Sequence, residues 1–216
     1  MGVECIPGET NLRSAFRLHW EDHYYGSALA ATGLALAGGF GHVCIPSGYS
    51  HQRPVVHGST MLVDERYSTE RLRVVHDGAE ATRAEKVARI VAWNPELVLA
   101  RLRVCTNNRG GAYNCGTCKK CVRTAIPLHV LGVLDRAEAF PDKRTDHWER
   151  VSDTDHLDFV EENLALAREH GDRRTAAMLE RVVARRRRRA AVRALVDTTP
   201  AVHLAPLLRR LQGRRD

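Results

Sequence analysis

The sequence has no continuous run of about 18 apolar residues, the length that a transmembrane helix requires. Its first residues, MGVECIPGETNLR, lack the basic segment and the apolar core of a secretory signal peptide. These two absences predict a cytoplasmic protein without a membrane partner. Aromatic residues are also scarce, at 6% of the chain, so we expect a core built mainly from alanine, valine and leucine.

Cysteine is present, and four of the six cysteines fall within the segment Cys105–Cys121. Cys115, Cys118 and Cys121 form two overlapping C-x2-C steps, which bring sulfurs close enough to share one metal ion. Gly116 allows the backbone to bend between them. The pattern predicts a Zn²⁺ ion held by four thiolates, with disulfides and unrelated buried thiols as the alternatives. Clustered cysteines without a secretion signal favour a reducing compartment.

The sequence around these cysteines resembles a known enzyme family. LRVC, followed by NCGTCKKCVRTA, is similar to the C-terminal segment of the 7-cyano-7-deazaguanine synthase family. That segment has a cysteine, a short loop, then C-G-x-C-x-x-C, a hydrophobic residue and an arginine. The matching positions here are Cys105, Cys115, Gly116, Cys118, Cys121 and Arg123. The resemblance extends over about 11–134 and includes VVHDGAEATRAEKVARIV upstream. It implies a PP-loop ATP pyrophosphatase, a Rossmann-like α/β enzyme.

One part of that family's pattern is missing. Family members open with a strand and a Ser-Gly-Gly-x-Asp-Ser loop that holds the pyrophosphate of ATP, whereas the nearest glycine-rich piece here is AGGFGH at 37–42. The resemblance therefore implies only the C-terminal portion of such a protein, inactive alone. ATP and Mg²⁺ would act only if another chain supplied the PP-loop half. The expected partner is a second copy or a separately encoded N-terminal half, and the catalytic residues remain unknown.

Hydrophobic periodicity predicts a small-residue helix at Ser27–Ala37 and short buried strands at His42–Pro46 and Leu72–His76. A helix followed by a strand across a tight glycine link is half of a βαβ unit. The predicted fold is therefore α/β, a partial Rossmann-like sheet with a zinc-knuckle segment and a C-terminal helical appendage.

The predicted domain organisation has three parts. Residues 1–135 form the α/β part, including the zinc segment 105–121. Residues 136–152 read as a polar linker with a charged DKRTDHWER run. Residues 153–216 form the helical appendage, which is interrupted at Gly171 and closes with a helix after Pro200.

Substrate-side candidates follow the two predicted strands, since loops at the carboxyl ends of strands carry ligand sites in open α/β sheets. The loop after the first strand offers Ser47 and Tyr49, with Ser50, His51 and His57 nearby. A plain polar connection is the alternative. For the end of the second strand and the next helix, the resemblance implies His76, Asp77, Glu80 and Arg83. Helix capping is the alternative there, because Thr82 and Glu85 form a capping-box pattern.

The net charge of +7 is concentrated near the C-terminus, where Arg185–Arg189 is an unbroken run. Such a run can bind nucleic acid, but a solvated helix face explains it better, because no aromatic residues are interleaved for base stacking. Lys119, Lys120 and Arg123 are expected to offset the negative charge of a four-thiolate zinc ion. The alternative function is a zinc-stabilised scaffold or nucleic-acid-binding protein without enzymatic activity.

Overall fold

The structure is a computed structural model that describes residues 4–107 and 113–198, apart from the side chains of 196–198. It is a mixed structure of helices and one small sheet, compatible with the α/β class in a coarse sense. The chain divides into two compact units, Met1–Arg83 and Ala84–Asp216. The helix predicted after Pro200 lies outside the described residues.

The first unit is built on two parallel strands, β1 (His42–Pro46) and β2 (Arg73–Asp77). The bounds of β1 confirm the predicted strand, and β2 lies one residue beyond the prediction. The unit's other elements are α1 (Leu12–Ala15), a π-helical turn at Trp20–Tyr24, α2 (Tyr25–Ala35) and a 3-10 turn at Asp64–Tyr67.

Helix α2 approaches the strands closely through its small residues. A Cβ placed on Gly33 would lie 3.0 Å from Val43 Cγ1, so a side chain there would require Val43 to shift by a few tenths of an ångström. The core of this unit is small and consists of Ala30, Ile45, Leu72 and Val74. Leucines elsewhere on and just after α2 stay exposed, because a sheet of two strands covers only part of the helix: Leu29, Leu34 and Leu36.

The second unit is a series of helices. They are α3 (Arg83–Trp93), α4 (Pro95–Arg101), α5 (Lys119–Val130), α6 (Trp148–Ser152), α7 (Leu157–Glu169) and α8 (Arg173–Thr198), with a 3-10 turn at Leu134–Arg136. Asn94 begins α4 by accepting a hydrogen bond from the Leu97 amide at 3.0 Å. Gly171, with φ of +72°, occupies the left-handed region that ends α7.

Helix α5 supplies the centre of this unit's core. Its buried side chains Val122, Ile126 and Leu128 belong to one cluster with residues of α7 and α8. Phe140 and Trp148, which fall in the segment interpreted as a polar linker, are buried in the same cluster. That segment is polar by composition, but its few large apolar residues pack inward. The three-part domain division stays a prediction.

Candidate functional site

The four clustered cysteines converge in the second unit. Cys105 follows α4, Cys115 lies in the turn before α5, Cys118 is the residue before the first turn of α5, and Cys121 lies within that turn. Gly116 has φ of +75°, a conformation that glycine adopts without strain, and it turns the chain between two of the cysteines. The local backbone geometry therefore brings the four cysteine side chains together from separate parts of the chain.

The sulfur atoms lie close together. Cys105 Sγ is 3.7 Å from Cys118 Sγ, and Cys115 Sγ is 3.8 Å from Cys121 Sγ. All four sulfurs lie within 4.8 Å of one another, and they form a group that could hold a metal ion. Among the residues that the structure describes, it is the only such group of three or more histidine, cysteine or acidic side chains. Cys105 and Cys121 are buried, whereas Cys115 and Cys118 are half-buried.

Backbone amides donate to the sulfurs, as is needed where thiolates gather. The Asn107 amide donates to Cys105 Sγ at 3.2 Å. Burial acts to raise the pKa of Cys115, but hydrogen bonds from the backbone of Thr117 and Cys118, together with those from the side chains of Cys105 and Cys118, lower this pKa to about 6. Burial raises the pKa of Cys118 and of Cys121. The cluster thus combines one thiol with a lowered pKa, Cys115, and two thiols with raised pKa values, Cys118 and Cys121.

Asn114 is the residue that ties the cysteine segments together, and the sequence interpretation missed it. Its side chain is fully buried and makes four hydrogen bonds. The oxygen accepts from the amides of Val104 and Cys105 at 3.0 and 3.1 Å, and the nitrogen donates to the carbonyls of Leu102 and Ala139 at 2.9 and 2.7 Å. Its position directly before Cys115 was the available signal, but its partners are distant in sequence.

Two residues from the segment after the 3-10 turn lie over the cysteine turn. The Gly116 carbonyl lies 3.2 Å from His147 Nε2. A Cβ on Gly116 would overlap Asp142 Cβ, so the turn has space for glycine alone. The guanidinium of Arg144 lowers the pKa of Asp142 to about 2. This segment thereby fixes the position of the turn between Cys115 and Cys118.

Arg123 contacts a carboxylate in the structure. Its guanidinium forms a bidentate ion pair with Asp155, and both side chains are largely buried. The guanidinium carbon lies 3.6 Å from the centre of the Phe159 ring. The Arg123 carbonyl accepts from Asn163 Nδ2 at 3.2 Å. Arg123 thus joins α5 to the start of α7, and its charge is balanced by Asp155.

The predicted substrate-side residues fall into two groups. Ser47, Tyr49 and His76 line one cavity of about 580 Å³ in the first unit, together with Ser50, His51 and His57. Asp77, Glu80 and Arg83 do not line it. Asp77 and Glu80 are exposed, and Arg83 is half-buried at the start of α3.

The sequence interpretation gave no role to Asp64, which underlies this cavity. Asp64 is fully buried, and its Oδ2 lies 2.7 Å from His76 Nδ1 and 2.5 Å from Ser59 Oγ. Burial raises the pKa of Tyr25, and the charge of Asp64 acts in the same direction, so this phenol stays neutral. An isolated aspartate after MLV gives no sequence signal for such a network.

The arginine run of α8 contacts carboxylates of its own unit. The ion pairs are Arg185 with Glu149 at 3.2 Å and Asp153 at 3.1 Å, Arg187 with Glu161 at 2.8 Å, and Arg189 with Asp153 at 2.8 Å. Arg186 donates to the carbonyls of Asp153 and Asp155. The run predicted as a solvated helix face thus lies on a helix face whose arginines pair with carboxylates of the same unit.

Within the described part of the chain, the length and apolar character needed to cross a membrane are not found in any helix. Comparisons of the chain with protein-family models, with curated proteins and with solved structures found no match.

Proposed function

We propose that the chain binds one zinc ion through Cys105, Cys115, Cys118 and Cys121. The observation that carries this proposal is the sulfur geometry. Zn–S bonds of about 2.3 Å in a tetrahedron place the sulfurs about 3.8 Å apart. Two of the sulfur pairs here are 3.7 and 3.8 Å apart, and all four sulfurs lie within 4.8 Å of one another. A disulfide would need about 2.05 Å.

The ion in this proposal is structural. Four thiolates fill a tetrahedral sphere and leave no position for water, so the site supplies cross-linking between segments and no Lewis-acid chemistry. The cysteines come from the end of α4, the turn at Gly116 and the first turn of α5. Zinc would therefore hold in place the start of α5, a helix that is central to the core of this unit, and its removal would destabilise the unit.

We further propose that the chain is the zinc-bearing portion of a 7-cyano-7-deazaguanine synthase-like, ATP-dependent ligase. Two features support this: the C-G-x-C-x-x-C pattern with Arg123, and a parallel strand pair preceded by a small-residue helix. In such a reaction ATP adenylylates a substrate carboxylate, and ammonia then displaces AMP. The sequence has no Ser-Gly-Gly-x-Asp-Ser loop, so ATP and Mg²⁺ would bind only with a PP-loop half from another chain.

Elemental analysis of the full chain, purified without added metal, tests the zinc proposal. We expect about one zinc per chain. Cys121→Ser should lose most of the zinc, whereas Cys44→Ser should keep it, because Cys44 is an exposed free thiol on β1. Iron in place of zinc, or equal zinc in the two variants, would overturn the assignment.

Pyrophosphate release from ATP tests the proposed enzymatic context separately. The chain alone, supplied with ATP, Mg²⁺, ammonium and a heteroaromatic carboxylate, should stay at background. Sustained turnover by the isolated chain would mean that it carries its own nucleotide site, even if the zinc assignment stands.

A further inference from the structure

The cavity of the first unit has the size and lining of a small-molecule site. Its volume of about 580 Å³ lies within the usual range for such sites. Its apolar lining residues include Pro54, Val55, Val56, Met61 and Leu62. None of the described residues that line it is Lys, Arg, Asp or Glu. A ligand that matches this lining is uncharged, because a charge would lose its hydration without gaining a counter-charge.

The polar lining of the cavity includes a buried histidine whose orientation is fixed. The His76 side chain is only 4% exposed, and its Nδ1 lies 2.7 Å from Asp64 Oδ2. A carboxylate accepts hydrogen bonds, so in the neutral ring the proton resides on Nδ1 and Nε2 is an acceptor. Nε2 has no hydrogen-bond partner among the described residues, and His76 lines the cavity.

Asp64 is held in place by a side-chain hydrogen bond and by the close approach of helix α2. Ser59 Oγ donates to the same Oδ2 at 2.5 Å. A Cβ on Gly26 would overlap Asp64 Oδ1 and would lie 2.6 Å from the Gly58 carbonyl oxygen, so helix α2 approaches the carboxylate as closely as glycine allows. Such support is typical of a side chain whose position matters for its neighbour.

A second buried polar group at the cavity also lacks a partner. Ser50 lines the cavity and is 4% exposed, yet its Oγ has no hydrogen-bond partner among the described residues. Buried polar atoms are normally paired, so the Ser50 hydroxyl beside the cavity is a candidate hydrogen-bond partner for a bound water or ligand. A metal ion does not explain it, because among the described residues the only convergent group of metal-ligating side chains is the cysteine cluster.

We propose that this cavity binds an uncharged molecule with a flat apolar body and one N–H or O–H group, and that His76 Nε2 accepts the hydrogen bond from that group. Asp64 is a positioning residue that holds the ring with Nε2 toward the ligand. The apolar body contacts Val55, Val56, Met61 and Leu62, and the Ser50 hydroxyl is available for a second polar group. The proposal does not depend on the zinc site or on ATP chemistry.

The test compares indole with 1-methylindole, which lacks the N–H hydrogen-bond donor of indole. Titration of the full chain, with ¹⁵N-labelled histidine, is followed by NMR for indole and for 1-methylindole. We expect indole to shift the His76 ring signals and to bind about 3- to 10-fold more tightly, as the loss of one hydrogen bond implies. Equal affinities, no effect on His76, or tighter binding of benzoate than of indole would each overturn the proposal.

Two further readouts separate positioning from folding. The ¹⁵N shifts of His76 in the unmodified protein should show the Nδ1–H tautomer, and an Nε2–H tautomer would contradict the role given to Asp64. His76→Phe should abolish the preference for indole over 1-methylindole, whereas His42→Gln, at an exposed position on β1, should preserve it. If His76→Phe does not fold, the probe pair and the tautomer in the unmodified protein still decide the question.

Discussion

At the scale of single residues, the cysteine cluster depends on positions that bear no metal ligand. Asn114 satisfies four backbone groups from two segments, and Gly116 provides a left-handed turn directly against Asp142. Asn114 and Gly116 each fix the local backbone geometry, and this geometry determines where the cysteine sulfurs lie. A substitution at such a position should therefore affect metal binding as well as stability.

Gly116→Ala tests this dependence, and Gly132 provides a matched control. Both glycines have positive φ, of +75° and +70°, so alanine at either position costs about 1–2 kcal/mol of backbone strain. Only at Gly116 would the new Cβ also overlap another side chain, since nothing lies within 4 Å of a Cβ at Gly132. Beyond this shared strain, we expect Gly116→Ala to lower the free energy of unfolding by about 1–3 kcal/mol more than Gly132→Ala does. We also expect Gly116→Ala to bind zinc less tightly.

Urea denaturation and competition with a chromophoric chelator measure these two effects. Gly132→Ala should keep the zinc affinity of the unmodified chain. Equal losses of stability and zinc affinity in the two variants would show that the contact with Asp142 is unimportant for the site.

At the scale of secondary-structure elements, local sequence patterns predicted the bounds that depend on neighbouring residues. Strand β1 has the predicted bounds, because a proline such as Pro46 is a strong local signal for the end of a strand. Helix α2 begins at Tyr25, two residues before the predicted start at Ser27. The Ser27 hydroxyl donates to the Tyr24 carbonyl at 2.9 Å and so lies within the helix.

The parts that the sequence did not predict depend on distant partners. Asn114 donates to the Ala139 carbonyl, and Asp64 contacts His76, across intervals without any periodic pattern. Phe140 and Trp148 stand among charged residues, so composition gave no sign of their burial. Cysteine spacing, by contrast, is a local signal, and the four cysteines do come together.

The contacts of helix α8 give a prediction for Asp153, which pairs with Arg185 and Arg189. Burial acts to raise the pKa of Asp153, but the hydrogen bonds from these arginines outweigh it and lower the pKa below 3.8. A lowered folded-state pKa stabilises the fold above the unfolded value, and this contribution disappears as the pH falls through the folded value. Asp153→Asn should therefore cost about 1 kcal/mol at neutral pH, because both arginines are exposed enough for solvent to screen the pairs.

The comparison is made by urea denaturation at neutral pH and again well below pH 3.8. The difference between Asp153→Asn and the unmodified chain should shrink in acid and in about 1 M salt. Glu138→Gln, at an exposed position of the same unit, should have little effect at either pH. A difference that persists in acid would show that Asp153 acts through packing.

At the scale of the whole molecule, the first unit exposes more apolar surface than its small sheet can cover. Leu34 and Leu36 of the α2 region and Phe40 are exposed, beside a sheet of only two parallel strands. Parallel sheets normally have both faces covered, and open edges promote association. We propose that a second copy, or a separately encoded N-terminal half, covers this surface.

Light scattering coupled to size exclusion tests the expected association. The purified chain should elute as a species heavier than its monomer mass of 24.2 kDa, with a mass that falls on dilution. Leu36→Glu should shift the equilibrium toward monomer, whereas Leu195→Glu, at an exposed position on α8, should not. A concentration-independent 24.2 kDa species with a cooperative melt would show that the fold is complete without a partner.

We propose that four thiolates, and no other ligand, bind a zinc ion in this protein. Zinc-edge X-ray absorption of the purified chain measures this directly, because it reports the type, number and distance of the ligand atoms. The account predicts four sulfur ligands at about 2.3 Å. A nitrogen or oxygen ligand at about 2.0–2.1 Å in place of any sulfur would contradict it.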